Sequence, residues 1–174
     1  MPFLIIVACS IVGLDLHTAF VTRRRNRRTF FQMAAHRAKE LGVPLLVVGD
    51  PDTGFVTQFF GRDYGCGNLC TDLTGCPSCP SGIVGPLEEV LPQLPDRSHV
   101  IYVSCTLEYV TDLPGVIQQL ERVAVPGGLF VVRVEHPHST WDLYPGAKWI
   151  LHSAPPTGDW IFTRYAGQSR RINP

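Results

Sequence analysis

Four of the six cysteines crowd into one short stretch, Cys66-x3-Cys70-x5-Cys76-x2-Cys79. The two-residue spacing of Cys76 and Cys79 lets adjacent thiolates share one tetrahedral ion, and Cys66 and Cys70 would complete a four-sulfur zinc set. The first pair is one residue wider than a short knuckle prefers, and the spacing between the pairs is short. Free thiols are therefore the default expectation, with structural zinc and one or two disulfides as the alternatives. No histidine is close in sequence, although His99 could approach in space. A second group, Glu135, His136 and His138, follows an apolar strand. His136 has the chemistry of a general base, Glu135 could assist a deprotonation, and a histidine pair can bind metal. A polar strand exit is the plainer reading. Cys105 and Thr106 end another apolar strand and could line the same cleft, but nothing pairs them with a base as a nucleophile requires. Asp50 and Asp52 sit in the turn Gly49-Asp50-Pro51-Asp52-Thr53-Gly54, where carboxylates commonly bond the backbone.

The elements that must position these groups follow from apolar spacing. Residues 27–41 read as a helix, with Phe30, Phe31, Ala34, Ala38 and Leu41 on one face and Gly42 as its stop. Residues 43–48, VPLLVV, form a continuous apolar run suited to a strand buried on both faces. Residues 55–60 fit a short helix. The glycine-rich segment 61–86 has room for at most one short strand, around Asn68–Leu73, and residues 86–94 for a brief helix. A second strand is expected at 99–105. Asp112 can cap a helix over 113–123 with Pro114 in its first turn. Pro126-Gly127-Gly128 makes a return turn into a third strand at 129–135. Strand, helix, glycine turn and strand make the crossover unit of a parallel sheet, which predicts a doubly wound, mostly parallel α/β fold. Residues 147–152 and 160–165 can pair as a hairpin at the sheet edge, and 167–174 reads as a tail.

Composition bounds the partners. With 45% hydrophobic and 17% charged residues, charge-driven disorder is excluded. Fifteen basic and fifteen acidic residues cancel, so there is no net attraction for nucleic acid. Residues 2–21 are largely apolar and would measure roughly 30 Å as a helix, enough to span a hydrocarbon core. Asp15 opposes this by about 2.5–3.5 kcal/mol at the membrane centre, and less near an interface. The cluster Arg23, Arg24, Arg25, Arg27 and Arg28 would hold the following domain on the cytoplasmic side and meet anionic headgroups. Residues 1–22 are thus expected to be a membrane anchor, with packing against a partner protein, even within a larger particle, or an internal element of this domain as the alternatives. Residues 23–28 become a basic juxtamembrane run and 29–166 the α/β domain.

The segment SHVIYVSCTLEYVTDLPGVIQQLERVAVPGGLFVV, residues 98–132, resembles the second half of class I S-adenosylmethionine-dependent methyltransferases. Leu107-Glu108-Tyr109-Val110-Thr111-Asp112 matches that family's loop after the fourth strand, and Pro126-Gly127-Gly128 matches its turn before the fifth. Upstream, Leu45–Gly54 matches the first strand and its cofactor loop in position, and Cys70-Thr71-Asp72-Leu73 the end of the second strand. The resemblance implies a Rossmann-like methyltransferase fold with S-adenosylmethionine held by Asp50, Asp52, Gly54, Asp72 and Cys105, Asp72 accepting from the ribose hydroxyls. This chain departs from the pattern where two loop glycines are replaced by Asp50 and Asp52, and Pro51 removes an amide donor. Residues 80–87 supply no acid for the adenine, and His99 replaces a common aspartate. These departures predict a methyltransferase-like protein without catalysis, in a structural or protein-interaction role, against the alternative of an active methyltransferase at a membrane surface.

Overall fold

The computed structural model describes residues 21–49, 64–133 and 146–165. Its first element is helix α1, Arg23–Leu41, which begins four residues earlier than the apolar spacing predicts and so takes in the whole arginine run. It stops at Gly42, whose left-handed φ of 63° lets its amide bond back to Ala38 and Lys39. Ala34 and Ala38 are buried, and their small side chains allow the helix to lie close on the sheet. Among the described residues no helix is long and apolar enough to cross a membrane, and the anchor expected over residues 1–22 lies almost wholly outside them.

Five parallel strands form the sheet in the order β3-β2-β1-β4-β5. They are β1 (Leu45–Val48), β2 (Leu69–Asp72), β3 (Gly82–Val84), β4 (His99–Ser104) and β5 (Ala124–Val132). Helix α2 (Leu87–Val90) continues as a 3-10 turn through Gln93, and helix α3 spans Leu113–Val123. This is the doubly wound, Rossmann-like α/β fold that the sequence predicts. β1 and β4 are buried along their whole length because layers cover both faces. On one face Leu45, Val47, Val100 and Tyr102 pack beneath α1. On the other, Leu46, Val48, Ile101 and Val103 pack with Val116, Leu120 and Val123 of α3.

Three expectations need correction. Segment 61–86 holds two strands rather than one, because β3 pairs in parallel with β2 from Cys70↔Gly82 to Asp72↔Val84. Its three residues carry little apolar signal, and as an edge strand it depends on the neighbour rather than on its own composition. Residues 126–128 are not a turn before the strand but lie inside β5, where the register with β4 shifts between His99 and Ile101. Gly127 takes a φ of +68° there, and a Cβ on Gly128 would come within 2.9 Å of the Val125 carbonyl, so the glycines accommodate an irregular strand. The hairpin β6 (Trp149–Ser153) and β7 (Ile161–Arg164) forms a separate antiparallel sheet instead of extending the edge. It is fastened by Lys148 N–H to Glu108 O at 2.7 Å, Trp149 Nε1 to Val110 O at 3.0 Å and Val131 N–H to Pro155 O at 2.9 Å.

Helix α3 matches its sequence reading residue for residue, and the Asp112 carboxylate accepts from Gly115 N–H at 3.2 Å. Asp112→Ala should destabilise the protein by about 1 kcal/mol, the usual worth of such a cap, measured as a lower urea midpoint with unchanged slope. An unchanged midpoint would mean that the cap is not what starts this helix.

Candidate functional site

A sheet buried on both faces leaves its strand ends as the places where polar chemistry can collect. Here β1, β2 and β3 wind one way and β4 and β5 return on the other side of β1, so the order reverses between β1 and β4. A cleft of about 210 Å³ opens at the carboxyl ends beside that reversal, where doubly wound sheets bind ligands. Val48 of β1, Thr71 and Asp72 of β2, Gly85 after β3 and Thr106 after β4 all reach it. Leu73, Pro86, Leu87 and Val110 make much of its wall apolar.

Asp72 stands where the sequence places it, at the end of β2 and on the cleft. Its Oδ1 accepts from both the backbone N–H and the hydroxyl of Thr74 at 2.9 Å, and its carbonyl accepts from Gly75 and Gly85 at 3.2 Å. One carboxylate oxygen thus organises the turn, while the residue as a whole remains half-buried on the cleft wall. Beside it, Thr71 is completely buried, and its hydroxyl has no hydrogen-bond partner among the described residues. A buried hydroxyl left without a partner costs about 1–3 kcal/mol.

Gly49 ends β1 with a φ of +103°, and a Cβ there would lie 2.7 Å from Thr106 Oγ1 and 2.8 Å from Ser104 O. The glycine is required by contact between the exits of β1 and β4. Asp50, Asp52 and Gly54, expected to touch a cofactor, lie outside the described residues, as do Glu135, His136 and His138. Cys105 has a positive φ of 49° and packs with the cluster beneath α1, while its neighbour Thr106 faces the cleft. His99 begins β4, at the opposite end of the sheet, and its Nδ1 lies 2.7 Å from Ser98 Oγ. It does not join the cysteines, and burial lowers its pKa.

Two charged residues of the cleft escaped the sequence reading. Glu88 lies in the first turn of α2, one position past the segment 80–87, which supplies no acid. Its Oε1 accepts from Thr111 N–H at 2.7 Å and Asp112 N–H at 3.4 Å, so it fastens the loop after β4. Partial burial pushes the Glu88 carboxyl upward, but backbone amides of Glu88, Thr111 and Asp112, and then the Lys148 ammonium, outweigh this and hold it below the ordinary value. Lys148, just before β6, donates to Thr111 Oγ1 at 2.8 Å. Its isolated position in sequence carried no signal, because only the packing of the hairpin brings it to the cleft.

The four clustered cysteines are paired as Cys66–Cys79 and Cys70–Cys76, which corrects the expectation of free thiols. The sulfurs of Cys70, Cys76 and Cys79 also lie within 4.8 Å of one another, a grouping able to hold a metal ion. The cause is topological. β2 and β3 are adjacent parallel strands, so the chain must return within residues 73–81 and folds its cysteines together in doing so.

Comparisons of the chain with protein-family models, with curated proteins and with solved structures give no match.

The Glu88 carboxyl is a weak base with a depressed pKa, and its linkage to folding has a definite sign. The unfolded chain takes up the proton first, so the stabilisation is complete above about pH 4.5 and is lost as pH falls through the lower folded value. Glu88→Gln should therefore be less stable than the parent near neutral pH, and the difference should shrink as the pH falls below about 4.5. Urea titrations at several pH values read this directly, and a gap that widens in acid contradicts it.

Proposed function

We propose that this chain is a methyltransferase-like protein whose carboxyl-end cleft binds an adenosyl-type nucleoside of the S-adenosylmethionine class, and that it acts by binding rather than by catalysis. The observation that carries the reading is the pairing of Thr71 and Asp72 at the end of β2, beside the reversal of strand order. A ribose offers vicinal hydroxyls. Asp72 is the natural acceptor for them, and Thr71 is a buried hydroxyl whose hydrogen-bonding capacity is unused among the described residues. The cleft volume falls below the ~300–1,000 Å³ of drug-sized pockets, which suits one nucleoside better than a dinucleotide. Leu73 and Leu87 supply apolar surface for a base.

The described side chains favour binding over catalysis. Glu88 is held ionised by backbone amides and Lys148, and is committed to the loop after β4, so it is poorly suited to taking a proton from a substrate. Methyl transfer could still proceed by alignment alone if Glu135 or His136 completed the site, and this remains the alternative. Attachment to membrane lipid or a partner protein through residues 2–22, with anionic headgroups near Arg23–Arg28, is compatible with either role.

Calorimetric titration with S-adenosylhomocysteine, S-adenosylmethionine and adenosine tests the proposal. Saturable binding with Kd on the order of 1–100 μM is expected. Asp72→Ala should weaken it about tenfold or more, as expected for loss of a charged hydrogen-bond acceptor, and Thr71→Val by a few-fold. A flat titration of folded protein with all three ligands would exclude the nucleoside reading. Ligand-dependent methyl loss from S-adenosylmethionine would move the protein to the catalytic alternative.

A further inference from the structure

We propose that Cys66, Cys70, Cys76 and Cys79 form a zinc site in the reduced protein, so that the two disulfides and a zinc tetrathiolate are alternative states of one sulfur cluster. The site replaces a missing structural element. Adjacent parallel strands ordinarily need a crossover of a dozen or more residues, usually a helix that covers one face of the sheet. Between β2 and β3 only residues 73–81 are available, and no helix forms. Leu73, the single large aliphatic residue of that link, is exposed. Apolar packing therefore contributes little to holding the link, and the sulfurs take its place.

Their placement suits one ion. Zinc bonds thiolate sulfur at about 2.3 Å in a tetrahedron, which sets neighbouring sulfurs roughly 3.8 Å apart. The sulfurs of Cys70, Cys76 and Cys79 already lie within 4.8 Å of each other, and that of Cys66 is joined to Cys79. Cys76-Pro77-Ser78-Cys79 closes as a single turn, Cys79 N–H bonding Cys76 O at 2.9 Å, which brings its two sulfurs to the same site. Cys66 Sγ stands 3.9 Å from the Ser78 carbonyl oxygen, over the same turn. Among the described residues neither histidine nor carboxylate belongs to the group, and Cys66 Sγ, bonded to Cys79, must move inward to become the fourth ligand. An all-thiolate set is soft and favours zinc over magnesium or calcium. Cys70 and Cys76 are buried while Cys66 and Cys79 are half-buried, leaving one side open to reductant and metal.

The conversion balances with a small dithiol as reductant. Each cystine accepts two electrons and two protons from one dithiol, which leaves as its own cyclic disulfide. The four cysteines then release four protons as one Zn2+ binds. Because Cys70 immediately precedes Thr71 and Asp72, the ion would also fix the strand end that forms the cleft wall. The zinc proposal does not depend on any nucleoside binding there.

The test uses the full chain, prepared with a dithiol reductant and zinc and freed of excess metal by gel filtration. Elemental analysis should find about one zinc per chain. Four thiols should be shielded from a disulfide reagent until a strong chelator is added, and Cys76→Ser and Cys79→Ser should each abolish stoichiometric zinc. In case these variants do not fold, cobalt is exchanged into the parent protein, where the visible bands of a tetrahedral cobalt thiolate are expected. Less than about 0.2 zinc per chain, with thiols that react freely or with disulfides that survive the reductant, overturns the proposal. Cobalt spectra of an octahedral, oxygen-liganded ion also overturn it.

Discussion

The architecture depends on β1 and β4 lying side by side with apolar cover on both faces. Leu45–Val48 and His99–Ser104 are buried along their full length, so no side chain within them can meet solvent without opening a core. Polar function is thereby driven to the strand ends. At the carboxyl ends the exits of β1 and β4 approach so closely that Gly49 must lack a side chain. The cleft forms around this contact, with the end of β2 on one side and the loop after β4 on the other.

That loop is held by polar rather than apolar means. Glu88 takes its amides, Lys148 its Thr111 hydroxyl, and Trp149 its Val110 carbonyl. The edge at β3 is held by sulfur. On the opposite face, Tyr102 is buried, donates to the Arg27 carbonyl at 3.2 Å and stacks edge-on with Phe31 and Tyr64. Burial, with Tyr64 beside it, raises the Tyr102 phenol pKa far above its ordinary value, so it stays a neutral donor to α1. The arginine run at the start of that helix opposes the helix dipole, and no acid in the first turn offsets it. Its presence there is not explained by helix stability.

The sequence was readable where each element carries its own physical signal. β1, β4 and α3 do so, since continuous apolar strands and an amphipathic helix with an Asp-Leu-Pro start owe little to distant partners. Asp72 could be found by its place at a strand end. β3 could not, because a Gly-Ile-Val edge strand forms only against β2. Glu88 and Lys148 were missed for the same reason. Neither belongs to a motif, and both reach the cleft through the packing of α2 and the hairpin. The cysteine spacing revealed a cluster but not its pairing, which follows from the nested return of the chain between two parallel strands.

The hairpin is the last described element, yet it completes a wall whose other parts come from the middle of the chain. On leaving the ribosome, the five sheet strands therefore emerge before Lys148 and Trp149 do. During that interval the β4 exit loop lacks two of its fastenings, and the apolar surface that Leu151 and Ala154 later cover is open to other contacts. A product cut short before residue 146 would lack both the Lys148 and Trp149 fastenings and the apolar cover of Leu151 and Ala154.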